Sequence, residues 1–331
     1  MKSAGGTDSN DLWPFPVYAK FLAEVDPYND LSLFRSLCQS YTGDKTYWQT
    51  PSPEPALSSA FWDKLPNHFK DEEIRRAAQI LAESLVVDGR QPRQIVFAAI
   101  LRAGVPIADW LCRLLPGAKA GGLSLFTGLG IDRQALKALK EAYPDREVIF
   151  VDGWTGRGGV ARELQRQRLR PLAVLIDPWK VADFAGTCED KLCPTACFTG
   201  PTTLGFSRTF QLDESQMFGA YIFPHRYRRL DVVRAWQEMC PQTINSDRER
   251  PKRQQFYVET DLRVHSNEVC RALINASPKA IYFVDSVTKA SADFELLLEL
   301  AEHRKVPVHF SQMSLHKYQT RVACSISTTA K

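Results

Sequence analysis

The sequence lacks any uncharged apolar stretch of about 18 residues, the length a membrane-spanning helix needs, and so contains no candidate anchor. Its opening MKSAGGTDSNDLWPF has no apolar run of the kind a secretion signal requires, and the expected location is the cytoplasm. Strong charge of one sign is missing too: 42 basic against 38 acidic residues leave +4, a lean toward anionic ligands and not the signature of a nucleic-acid binder. With only four methionines, a Met-rich binding groove is excluded. Eight cysteines are mostly scattered, and none makes the paired C-x-x-C of a zinc or haem site; Cys188, Cys193 and Cys197 cluster at another spacing. Free, reduced thiols are expected. No internal repeat is evident.

What is present is an ordinary globular composition, 44% hydrophobic and 24% charged over 331 residues, long for one core and comfortable for two domains. Residues 1–60, rich in Pro, Ser and aromatics, read as a wrapping segment with short helical patches such as Leu31 to Leu37. From Asp71 to Leu85, apolar residues at helical spacing follow an acidic first turn, which predicts an amphipathic helix. Gln94 to Ile100 followed by LRAGVPIADWLCRLL predicts buried strand, tight glycine turn and helix. A second such unit runs from a strand at 148–151 through the loop DGWTGRGG to a helix over Val160 to Gln167, and Leu172 to Ile176 supplies a third strand. Strands alternating with helices predict an α/β domain over residues 61–242, a parallel sheet flanked by helices.

Residues 243–255, TINSDRERPKRQQ, have the composition of a linker. Beyond it, strands at Phe256 to Val258, Ala280 to Val284 and Val306 to Phe310 alternate with helices at Glu268 to Ile274 and Asp293 to His303. A small second α/β sandwich domain over 256–331 is expected.

The chemistry should lie in DGWTGRGG. Glycines let backbone N–H groups turn inward, and a following helix N-terminus adds partial positive charge, so the loop has the ingredients of an anion cradle. Thr155 offers a hydroxyl and Arg157 a charged fork, while Asp152 can accept hydrogen bonds from ribose hydroxyls. The loop lacks the Lys-Ser/Thr ending of a nucleoside-triphosphate loop and is not the dinucleotide G-x-G-x-x-G. A plain glycine-rich turn joining strand to helix is the bland alternative.

This strand-acid-TG-GG-helix pattern resembles the phosphoribosyl-pyrophosphate loop of type I phosphoribosyltransferases, and the upstream ILRAGVPIA resembles their pyrophosphate loop. More narrowly, ILRAGVPI, GLGIDRQAL, VIFVDGWTGRGG, LAVLIDP and the segment at Gly186 to Asp190 resemble a phosphoribosyltransferase-like family of bacterial tellurite-resistance and stress operons, which is also labelled a cysteine protease (StiP). The resemblance implies a type I phosphoribosyltransferase-like fold, with Arg102, Ala103 and Gly104 lining a pyrophosphate loop and Asp152, Gly153, Thr155, Gly156, Arg157 and Gly158 a ribose-phosphate loop. It also brings in Asp132 as a ligand residue and Mg²⁺, held through Asp152, as cofactor. Three departures stand out. Gly153 replaces the second acid of the usual loop, Thr127 to Asp132 stand where the family resemblance implies Arg-Gly-Arg-Gly-Ile-Asp, and Phe218 stands where it implies histidine. The protease label implies a thiol beside a histidine, and the nearest pairing in sequence is Cys188 or Cys197 with His225.

The C-terminal unit resembles the Pelota-type RNA-binding module, in which a loop after a strand meets RNA. Asp285, Ser286, Thr288 and Lys289 occupy that position, so Thr288 and Lys289 are candidate RNA contacts. Three functions stay open at this point: a transferase acting on a phosphoribosyl or nucleotide-like small molecule, a thiol hydrolase, and a ligand-sensing or RNA-binding protein without turnover.

Overall fold

The computed structural model describes residues 12–34, 49–87, 89–212, 218–244 and 262–326. Its strands, in chain order, are β1 (Lys20–Glu24), β2 (Ile95–Ile100), β3 (Lys119–Leu123), β4 (Leu125–Phe126), β5 (Gly130–Ile131), β6 (Glu147–Trp154), β7 (Leu172–Ile176), β8 (Phe184–Thr187), β9 (Phe210–Gln211), β10 (Phe218–Ile222), β11 (Leu262–Val264), β12 (Pro278–Phe283), β13 (Val308–His309) and β14 (Val322–Ile326). The helices are α1 (Ser59–Lys64), α2 (Glu72–Val86), α3 (Gly104–Leu114), α4 (Arg133–Ala142), α5 (Gly159–Arg166), α6 (Leu230–Glu238), α7 (Ser266–Asn275), α8 (Val287–Asp293) and α9 (Glu295–His303).

The central sheet has the order β3-β2-β6-β7-β8 and is parallel throughout. Both faces are covered, which is why β2 and β7 are unbroken apolar runs. Along β2, Ile95, Phe97 and Ala99 face one side with Leu81 and Trp110 of α2 and α3, while Val96, Ala98 and Ile100 face Leu139 and Leu164 of α4 and α5 on the other. Helix α2 begins where the acidic turn predicts, with the Asp71 side chain accepting from the backbone N–H groups of Glu73 and Ile74. Helix α6 closes the first face by stacking Trp236 on Trp110 at 3.8 Å between ring centres, each indole N–H donating to a backbone carbonyl of the other helix.

The second sheet has the order β11-β14-β12-β13 and is mixed, with β12 and β13 parallel. Helices α7 and α9 cover it, and its core is continuous with that of the central sheet: one apolar cluster runs from Phe61 and Trp110 to Cys270, Leu273 and Leu297. The wrapping segment contributes β1 to a third small sheet with β10 and β9.

Several boundaries differ from expectation. The strand expected at 148–151 continues to Trp154, because Asp152 and Trp154 pair with Val174 and Ile176 of β7; Asp152, Gly153 and Trp154 are therefore strand and not loop. The helix expected from Asp293 to His303 breaks at Phe294, which is buried against Phe283 and separates α8 from α9. The strand expected at Val306 to Phe310 shortens to Val308–His309, and β14, which the sequence reading did not include, follows it. Thr288 and Lys289, expected in a loop, lie in the first turn of α8. The strand expected at Phe256 to Val258, and all of the expected linker after Ile244, lie outside the described residues. None of the described helices is long and apolar enough to cross a membrane.

Candidate functional site

Strands β2 and β6 are neighbours in the sheet and end at the same edge, each passing through a short turn into a helix. After β2 the turn is Leu101, Arg102 and Ala103, with a cis peptide between Leu101 and Arg102, and α3 starts at Gly104. This turn presses on β6. A Cβ at Gly104 would lie 2.1 Å from the carbonyl oxygen of Val151, so only glycine permits the approach. After β6 the turn is Thr155 to Gly158, with Gly156 at φ +50° and Gly158 at φ +71°, and α5 starts at Gly159.

Side chains cap α1, α2 and α4 through Ser58, Asp71 and Asp132, but none of the described residues caps α3 or α5. The turn before α3 and the first residues of α5, Gly159 and Val160, line a cleft of about 520 Å³ at the carboxyl edge of the sheet. Arg102, Ala103, Asp152, Thr155, Gly156 and Arg157 all line it. The structure thus brings together most of the residues expected from the two turns. The hydroxyl oxygen of Thr155 is buried and has no hydrogen-bond partner among the described residues, an arrangement that costs free energy unless something in the cleft meets it.

Asp152 is 8% exposed, and its Oδ1 accepts from the Gly153 N–H at 2.7 Å. Burial pushes its carboxyl up to about 7; the neighbouring charge of Glu268 adds to the rise and the Gly153 bond opposes it. Glu268 comes from α7 of the second sheet. It accepts from Trp154 Nε1 at 3.1 Å and from Arg263 at 3.0 Å, and a Cβ at Gly156 would sit 2.8 Å from its Oε1. The small unit therefore supplies one wall of the cleft.

Arg102 does not stand alone. Glu54, from the wrapping segment, takes both ends of its guanidinium at 2.9 and 2.5 Å, and also accepts from Arg271 at 3.0 Å and from the Gly200 N–H at 2.6 Å. Glu54 is fully enclosed, and the two arginines hold its carboxyl below the usual range despite burial. Its neighbours Pro51, Pro53 and Pro55 were the only sequence trace of a fixed path there. Glu54, Arg263, Glu268 and Arg271 are site residues that sequence reasoning missed.

Other expected residues lie elsewhere. Asp132 is buried with both oxygens engaged, Oδ1 capping α4 through the Ala135 N–H and Oδ2 accepting from the Phe218 N–H at 3.0 Å. Thr127, at the tip of the β4–β5 hairpin, lines the cleft instead. Cys197 is wholly buried with its Sγ 3.6 Å from that of Cys270, and its thiol is pushed well up by that hydrogen bond and by burial. Cys188 is half-buried just after β8, and His225 lies exposed in a short turn before α6. Lys289 pairs with Asp285 at 3.4 Å, and Arg321 also pairs with Asp285, at 2.9 Å.

A parallel sheet whose cleft lies between two adjacent strand ends defines the class: an α/β protein with a cleft at the carboxyl edge of its sheet. Residues 37–239 match the family model described as tellurite-like stress resistance cysteine protease StiP, and the chain belongs to that family. Over 169 residues it is 31% identical to "Cysteine protease StiP" of Acinetobacter baylyi, covering 46% of this chain and 44% of that protein. Over 111 residues it is 32% identical to "Uracil phosphoribosyltransferase" of Legionella pneumophila, covering 30% of this chain and 50% of that protein. The chain thus spans about half the length of the curated relatives it matches. Arg263, Glu268 and Arg271 lie past the end of the family match.

Proposed function

We propose that the cleft binds a phosphoribosyl compound of the phosphoribosyl-pyrophosphate type, and that the protein transfers or senses that group. The observation that carries this reading is the partnerless hydroxyl of Thr155, set in a glycine turn at the uncapped N-terminus of α5. A phosphate there would accept from Thr155 and from turn amides. The Ala103–Gly104 turn, one strand away, would receive the pyrophosphate. Asp152 Oδ2, which carries no hydrogen bond to the described residues, would accept from ribose hydroxyls. The partial likeness to a uracil phosphoribosyltransferase supports the same reading.

The described residues contain no group of three or more His, Cys, Asp or Glu side chains fit for a metal ion. Mg²⁺ that keeps its waters and shares the ligand's phosphates needs only one or two carboxylates, and Asp152 with Glu268 beside it meets that requirement. Bound there, Mg²⁺ would supply charge neutralisation for the pyrophosphate.

The family description favours a second reading, a thiol peptidase. Such a nucleophile needs a lowered thiol pKa. Burial instead pushes up Cys112, Cys193, Cys240 and Cys324, and with the Cys270 hydrogen bond it pushes up Cys197 too; of the two described thiols that remain, Cys270 is wholly buried and Cys188 half-exposed, which makes Cys188 the better candidate. Native mass spectrometry of the purified full chain with added phosphoribosyl pyrophosphate and Mg²⁺ separates the readings. A one-to-one adduct is expected. Absence of the adduct, together with peptide cleavage lost in Cys188→Ser, would replace the first reading by the second.

A further inference from the structure

Asp190 closes the stretch that runs from Gly186 past β8, and it does not line the cleft. Its carboxylate reaches across to the unit built on the second sheet. Oδ1 accepts from the backbone N–H and the hydroxyl of Ser266 at 2.8 and 2.9 Å, while Oδ2 accepts from the Arg321 N–H at 3.2 Å and lies 3.0 Å from the Thr320 hydroxyl. Ser266 opens α7, and the His265 side chain just before it makes no capping bond among the described residues. Asp190 therefore satisfies a first-turn N–H of α7 from a distant part of the chain, with the sign of charge that a helix N-terminus favours.

The same helix is anchored twice more on the residues that follow Asp190. Asn267 is buried, accepts from the Cys193 N–H at 2.8 Å and donates to the Lys191 carbonyl at 2.8 Å. One turn further on, Arg271 donates to the carbonyls of Ala196 and Phe198 at 3.0 and 2.8 Å. Between these anchors stands Glu268, the residue that α7 sends over the β6–α5 turn, where Trp154 donates to it. This seating strains the backbone. His265 is held at φ +75° and ψ 146°, a conformation rare outside glycine that persists only where the surroundings impose it. Trp179 packs against its ring at 5.0 Å, and Asp190 fixes the next residue, so Asp190 is the polar half of that restraint.

We propose that Asp190 is a positioning residue for the cleft: by capping α7 it holds Glu268, and the Arg263 paired with it, against the β6–α5 turn, so that both units hold what the cleft binds. The assignment rests on the phosphoribosyl reading for the identity of the ligand, and on the geometry of α7 alone for the placement of Glu268.

The test uses the full chain with ¹⁵N-labelled tryptophan indoles, the Trp154 resonance being the one lost in Trp154→Phe. Asp190→Ala should move that resonance toward its position in Glu268→Gln while the resonances of the stacked pair Trp110 and Trp236 stay in place. In calorimetric titration it should weaken phosphoribosyl pyrophosphate with Mg²⁺ about fivefold or more. Asp190→Asn, which keeps an acceptor for Ser266, should give a smaller movement in the same direction and a smaller loss of affinity, and it carries the test where Asp190→Ala does not fold. A Trp154 resonance unmoved in every folded variant, or moved with the affinity unchanged, overturns the assignment. Movement of the resonance in the variants of a parent that does not bind phosphoribosyl pyrophosphate keeps the role of Asp190 in placing Glu268 and removes the phosphoribosyl reading instead.

Discussion

Asp152 holds a carboxyl where its charge is unwelcome. Its folded pKa is raised to about 7 from 3.8, so in the native state it keeps its proton while the unfolded chain loses it. The resulting stability is intact below about pH 4, falls as pH rises, and is gone above about pH 7, a loss on the order of 4 kcal/mol. Asp152→Asn should therefore unfold at a higher temperature than the parent at pH 8 and at the same temperature at pH 4, as read by thermal melts. Binding runs the other way, because an ionised Asp152 is the better acceptor, and affinity for phosphoribosyl pyrophosphate should weaken as pH drops below about 7. Thr155→Val makes a similar split: removing a buried hydroxyl with no partner should leave stability unchanged or slightly higher, while affinity falls about fivefold to tenfold. Asp152 and Thr155 were legible in the sequence because they share one short glycine-rich stretch. Glu54, Glu268 and Arg271 were not, since each reaches the site from a distant segment: Glu54 lies 48 residues from Arg102 and 217 from Arg271.

Among the elements, β2, β7 and the 148–151 stretch of β6 were readable as continuous apolar runs, the pattern of strands buried on both faces. The edge strands were not. Sequence KAGGL of β3 has glycines where Tyr18 and Val17 press on the sheet, and FAGT of β8 is too short and too small to stand out. Close packing at one element junction yields a sharp expectation. Gly104→Ala drives a methyl into the Val151 carbonyl at the start of α3, and a loss of about 3 kcal/mol or more in urea unfolding should follow. A loss under about 1 kcal/mol would mean that the α3 turn yields and does not fix Arg102.

At the scale of the molecule, the two sheets read from the sequence as two domains share one apolar core, and α7 supplies Glu268 to the cleft. Periodicity along the chain reports each unit's faces but not which unit covers which, so this joint could not be read in advance. Fragments 1–244 and 262–331, expressed together, should co-purify through that core; a small fragment that stays soluble and apart would contradict it. Glu54 ties the wrapping segment into the same centre, and Glu54→Gln, which leaves Arg102 and Arg271 without their shared anion, should cost about 3–5 kcal/mol.

The central claim is that a phosphoribosyl ligand sits on the β6–α5 turn, and the measurement closest to it is calorimetric titration of the full chain with phosphoribosyl pyrophosphate and Mg²⁺ at pH 8. Saturable one-to-one binding, weakened at least fivefold by both Thr155→Val and Asp152→Asn with the fold intact, is the expected result. No saturable heat in the parent, or equal affinity in all three proteins, would contradict it.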